Sequence, residues 1–201
     1  HVNTINLPRI AYDAGGDDDR LFELLRERME LTIPIFKLKR EIMKKRLEHD
    51  ALPFAGQIVR DNDYYLNLDN QSLPIGFVGL NEMLKAHMGY ELHETTGAWQ
   101  FGLKVINEMA RIKDEFARDT GLRFGLLQTP AESAAYRLAK LDLARYNSKA
   151  VVQGDIKSDS VYYTNSSHTN VAADIPLWKR IKTESSFHPL TAGGAILHVW
   201  M

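Results

Sequence analysis

The sequence contains no cysteine. That excludes a disulfide, a thiolate zinc site and a thiol nucleophile within these residues. No apolar run approaches the roughly 18 residues that a membrane span needs, and no signal-peptide pattern opens the chain. Neither charge dominates: 25 Lys and Arg stand against 26 Asp and Glu. The chain therefore has no basic excess of the kind a nucleic-acid binder uses. G-x-G-x-x-G and G-x-S-x-G are both missing, and so is the GK[ST] ending of a phosphate loop. The seven histidines are scattered, and His87 and His93 do not have metal-ligand spacing. What remains is 201 residues with 44% hydrophobic and 25% charged content, enough for one sizeable core or at most two small domains. The expectation is a soluble cytoplasmic protein without nucleic-acid or membrane partners. Its apolar ends, beginning at His1 and closing on 195–201, read as a segment of something longer.

Periodicity divides the chain. Val2 to Pro8 reads as a strand, and Ala14 to Asp19 as a turn whose acidic end suits a helix N-terminus. Helical spacing of Leu21, Leu25, Met29, Phe36 and Ile42 predicts a long helix from Arg20 to Leu47, broken near Thr32 and Ile33 by Pro34. The basic stretch Lys37 to Arg46 reads as a solvated helix face. Tyr64 to Leu68 is a candidate short strand, and Pro74 to Leu80 a buried one leading into a helix that ends near Met88. The clearest helix runs from Ala98 to Arg118, with Gly121 as its C-cap. Arg123 to Gln128 reads as a strand and Ala134 to Tyr146 as a helix. Further strands are expected near Val161 to Thr164 and Ala195 to Val199, with a short helix at Leu177 to Lys182 between them. The alternation predicts an α/β protein with parallel strands.

Ligands of such sheets bind at the carboxyl ends of the strands. Three polar turns fall there. Thr129 to Ser133 opens a helix whose amides can hold a phosphate. The same residues fit a capping box, Thr129-x-x-Glu132 with Pro130 at the first helical position, and the two readings are compatible. Asn165, Ser166 and His168, in Tyr162 to His168, can bind a sugar hydroxyl or phosphate, or can satisfy their own loop. His168 is a candidate general acid or base. Pro189 to Ala195 is a Gly-rich entry into a strand, which fits a tight turn.

Five segments taken in order resemble one family, the anaerobic (class III) ribonucleoside-triphosphate reductases, which are glycyl radical enzymes. They are Thr4 to Ile10 (TINLPRI), Ile75 to Glu82 (IGFVGLNE), Thr129 to Ser133 (TPAES), Tyr162 to His168 (YYTNSSH) and Pro189 to Gly194 (PLTAGG). The resemblance covers nearly the whole chain, apart from residues 50–73 and 146–158.

The resemblance implies that residues 1–201 are one segment of the catalytic domain, roughly the second half of a ten-stranded α/β barrel. The full enzyme would reduce ribonucleoside triphosphates to deoxyribonucleoside triphosphates. A glycyl radical, made by a radical S-adenosylmethionine activase, would generate a thiyl radical, with formate or a redoxin as reductant. Glu132 is implied as the catalytic group nearest the ribose or the reductant. Thr129, Ala131, Ser133, Asn165, Ser166 and His168 are implied as substrate-binding. The thiyl cysteine, the structural zinc cluster, the radical glycine and the sites for dNTP or ATP effectors would lie outside this segment. Gly193 and Gly194 are not the radical glycine. The chain alone would be inactive, and the full protein a homodimer. A non-catalytic nucleotide- or phosphate-binding α/β module is the alternative, and an acyl-lyase type of glycyl radical enzyme ranks behind it.

Overall fold

A computed structural model describes residues 2–59 and 64–197. Its centre is a three-stranded parallel sheet in the order β1 (Asn3–Asn6), β2 (Leu73–Val78), β3 (Phe124–Gln128). The register pairs Thr4 with Gly76 and Gly76 with Leu127. Ile5, Ile75, Phe77, Phe124 and Leu126 point to one face and join a single core with helices α1 (Leu7–Ala14), α2 (Asp18–Glu30), α4 (Leu80–Met88) and α5 (Thr96–Thr120). The α/β class with parallel strands is as expected.

The helix ends follow from local chemistry. Asp17 and Thr95 cap α2 and α5 by accepting from Arg20 N and Ala98 N, and Gly121 closes α5 in the left-handed region at φ 69°. The predicted break in the first long helix occurs at Leu31. From there α3 (Thr32–Glu48) begins, with Pro34 in its first turn, where a missing N–H costs little.

Four expectations are corrected. The opening strand does not reach Pro8: Asn6 accepts from Arg9 N and starts α1, so Pro8 sits in the first turn of a helix. Tyr64 to Leu68 is not a strand; Tyr64 makes one bridge to Ile58, and Leu68–Asn70 is a 3-10 turn. The strand near Val161 lies outside the parallel sheet. It is β5 (Ser160–Tyr162), antiparallel to β4 (Gln153–Asp155). No strand forms over residues 195–197, and the rest of that expected strand lies outside the described residues.

The hairpin packs on α6 (Glu132–Tyr146) in a small second cluster of Ala135, Ala139, Val161 and Tyr163. After it come the loop 163–176 and α7 (Leu177–Ser185). The fully buried Asp142 ties this layer to the sheet. It accepts from Asn6 Nδ2 at 2.7 Å, Arg9 Nε at 2.7 Å and Tyr163 OH at 2.8 Å, and pairs with Arg9 Nη2 at 2.6 Å. Tyr12 lies 3.4 Å from the Tyr163 hydroxyl, and burial pushes the Tyr12 hydroxyl up to about 12. Removing one partner from a buried ion pair strands the others. Asp142→Ala is therefore expected to cost about 3–5 kcal/mol, read by urea unfolding followed through tryptophan fluorescence. A cost under about 1 kcal/mol, the range of exposed pairs, would remove this hub.

Candidate functional site

The carboxyl ends of β2 and β3 meet the loop after β5. Val78 bridges to Asn165, Gly79 N donates to Thr164 O at 2.8 Å, and Leu80 N donates to Ser166 O at 3.2 Å. Gly79 is in the left-handed region at φ 73°, and a Cβ there would come within 2.5 Å of Pro8 Cγ. Glycine is therefore required where the strand turns into α4.

The capping box does not form. The N-cap of α6 is Ala131, with no side-chain cap, and Pro130 precedes the helix. Asn165 takes that place: its Oδ1 accepts from Ala131 N at 3.3 Å and its Nδ2 donates to Glu132 Oε1 at 3.4 Å. Thr129 instead turns its side chain over Gly76, where a Cβ would overlap Thr129 Oγ1. Ser166, at φ 45°, places its hydroxyl 3.1 Å from Phe77 O and 3.3 Å from Thr129 O, joining the ends of two strands. A non-glycine residue held there carries roughly 1 kcal/mol of strain or more.

Glu132, Asn165 and His168 line one cleft of about 730 Å³ between α6, β5 and α7. His168 Nε2 lies 2.8 Å from Ile196 O. Thr129, Ala131, Ser133 and Ser166 are not in the cleft wall. Ser133 is exposed on the first turn of α6. The wall also carries Asp159, paired with Lys140 at 2.6 Å, and Glu184, 3.6 Å from Arg180. Carboxylates and an amide suit a ligand that presents hydroxyl donors, and they oppose a phosphate at the same point. The Gly-rich run does form a turn, Gly194 N donating to Thr191 O at 3.0 Å. It also lies along β3, with Gly193 N on Leu126 O at 2.8 Å and Gln128 N on Gly194 O at 2.9 Å.

Several polar groups here have surroundings that the sequence does not show. Gln128 is 2% exposed, yet neither of its amide atoms has a hydrogen-bond partner among the described residues, and the same holds for Thr129 Oγ1 and Ser167 Oγ. Glu82 is fully buried: Oε1 accepts from Gln153 Nε2 at 2.9 Å and Asn81 Nδ2 at 3.2 Å, and Oε2 from Thr164. A carboxylate among Leu80, Met83 and Leu84 was the available signal. Among the described residues, no group of three or more His, Asp or Glu is placed to hold a metal ion. No helix there is long and apolar enough to cross a membrane.

The sequence profile of the family "Anaerobic ribonucleoside-triphosphate reductase" matches residues 1–201. The chain belongs to this family. It is 30% identical to the anaerobic ribonucleoside-triphosphate reductase of Salmonella typhimurium, covering 98% of this chain and 28% of the relative. It is 28% identical to that of Enterobacteria phage T4, covering 98% and 32%. The chain thus spans about three-tenths of these relatives' length. The crystal structure of the anaerobic ribonucleotide reductase from Thermotoga maritima with dATP bound in the specificity site superposes with a TM-score of 0.81 at 28% identity, covering 98% of this chain and 32% of that one. Another structure of the Thermotoga reductase, in complex with dATP and CTP, gives 0.80.

Two outcomes follow for this segment of the reductase family. Burial holds the Glu82 carboxyl above its ordinary value of 4.5 despite its hydrogen bonds. The folded state then binds the proton more tightly than the unfolded state. Its stabilising contribution is complete below the unfolded value and is lost as pH rises through the folded one. Glu82→Gln is expected to flatten that fall, measured as urea midpoints over about pH 4 to 8; parallel curves for the two proteins would refute it. Gly76→Ala, which forces Thr129 off the sheet, is expected to cost about 1–3 kcal/mol in the same unfolding assay, whereas an unchanged midpoint would show that the contact is loose.

Proposed function

We propose that the chain is a single segment of the catalytic barrel domain of an anaerobic ribonucleotide reductase, an enzyme converting ribonucleoside triphosphates to deoxyribonucleoside triphosphates. On this reading the parallel sheet is part of a ten-stranded α/β barrel, and its carboxyl edge forms part of the substrate wall. The observation that carries the proposal is the bridge made by Asn165. It brings the two polar turns of the family pattern, 129–133 and 162–168, to one point at the carboxyl end of the sheet. Parallel α/β sheets place their ligands there.

The residues divide the work as follows. Glu132 accepts a hydrogen bond from a ribose hydroxyl and is the group placed to take or return a proton there. Asn165 holds the Glu132 carboxylate and the amide of Ala131, the N-cap of α6. Thr129, Ala131 and Ser133 set the backbone that approaches the nucleotide. Ser166 fixes the ends of β2 and β3, and His168 borders the cleft. In the whole enzyme a glycyl radical and its partner cysteine would supply hydrogen-atom abstraction chemistry. That cysteine, the radical glycine, the structural zinc and the dNTP or ATP effector sites belong to other parts of the polypeptide. A radical S-adenosylmethionine activase, formate or a redoxin, and a second subunit of a homodimer complete the system.

In the full-length reductase, Glu132→Ala is expected to lower ribonucleotide reduction at least 100-fold, the order of one acid–base group. The circular dichroism spectrum should be unchanged. Full turnover by this variant would take the role from Glu132.

A further inference from the structure

The loop that carries Asn165 and His168 is anchored at both ends by the same device. At its start, one oxygen, Glu82 Oε2, accepts from Thr164 N at 2.9 Å and Thr164 Oγ1 at 2.8 Å. At its end, Glu184 Oε1 accepts from Thr169 N at 3.0 Å and Thr169 Oγ1 at 2.7 Å. All four residues are at most 3% exposed. The carboxylates come from different elements, α4 and α7. Arg180 Nη1 braces the second clamp, donating to Thr169 Oγ1 at 2.5 Å and lying 3.6 Å from Glu184 Oε1. Its Nη2 reaches the carbonyls of Asn170, Val171 and Ala173 at 3.2, 3.4 and 3.3 Å.

A threonine that gives both its N–H and its O–H to one oxygen has its backbone and χ1 fixed together. A buried carboxylate that loses a donor is left under-satisfied, so the arrangement resists loosening. Only residues 165–168 lie between the clamps, and Ser166 among them sits in the left-handed region. Such a conformation persists when its surroundings over-determine it. We propose that Glu82 and Glu184, acting through Thr164 and Thr169, are positioning residues that set Asn165 against Glu132 and hold His168 at the cleft for the nucleotide. This rests on the site reading given above for Glu132 and Asn165.

The test uses the full-length reductase, assayed with its activase. Thr164→Val and Thr169→Val delete the clamping hydroxyl at nearly constant volume, and Thr164→Ser and Thr169→Ser keep it. Each valine variant is expected to raise KM for the ribonucleoside triphosphate about tenfold, the order of one lost hydrogen bond, and each serine variant to restore it. A purely structural role would only reduce the folded fraction, lowering apparent kcat at an unchanged KM. Valine variants with wild-type KM, or serine variants as impaired as valine ones, would overturn the proposal. If a valine variant fails to fold, the KM of Glu184→Gln decides: a rise supports the clamp and a wild-type value rejects it. Glu132→Ala separates the two ideas. If it keeps full turnover the site reading has failed, whereas if it is inactive and the clamp variants keep wild-type KM, only the clamps have failed.

Discussion

Buried carboxylates, more than apolar packing, hold the site layer to the parallel sheet. The large core lies under β1–β3 and takes in α1, α2, α4 and α5, whereas α6 and the hairpin share only a small cluster of four buried residues. Asp142 crosses that boundary to Asn6 and Arg9, and Glu82 crosses it to Gln153 and Thr164. Such links add little net stability over an apolar contact, but they are directional. They fix where the loop after β5 lies relative to the strand ends, which the packing of that small cluster alone does not specify.

That division explains which parts of the chain were readable in advance. α5 is legible because Trp99, Leu103, Ile106, Met109 and Phe116 repeat at helical spacing and Gly121 ends the helix. β2 and β3 were legible as short runs bounded by turn residues. α1 is hidden in the sequence because Thr4 to Ile10 contains β-branched residues followed by proline, and only the cap made by Asn6 shows where the strand stops. In the sequence the hairpin shows as a lone strand, because β4 is three residues of Gln-Gly-Asp with no apolar alternation.

The turn residues were found, but their pairing was not. Thr129-x-x-Glu132 satisfies a capping pattern in sequence, and local spacing has no means of showing that Asn165, 34 residues away from Ala131, performs the capping. Once Asn165 takes that hydrogen bond, Thr129 is released from the helix and lies over Gly76. The clamping glutamates were hidden for a related reason. A glutamate in α4 or α7 reads as an ordinary polar helix residue until its donors arrive from 82 residues away at Thr164 or 15 residues away at Thr169.

The glycines complete the same logic at the strands themselves. Gly76 leaves room for Thr129 Oγ1, and Gly193 lets its backbone lie against Leu126 O, where a Cβ would stand at 2.8 Å. With no side chains intervening, the turn after β3 and the 191–194 run rest directly on the strands. A site on loops is usually less exact than one on strands. Here the loops inherit the rigidity of the sheet through these close approaches, while the buried carboxylates fix the remaining direction, toward α6 and α7. The position of Asn165 is then set by the core residues of β2 and β3 as much as by its own loop. Substitutions that only repack the β2–β3 face therefore act on the cleft as well as on stability.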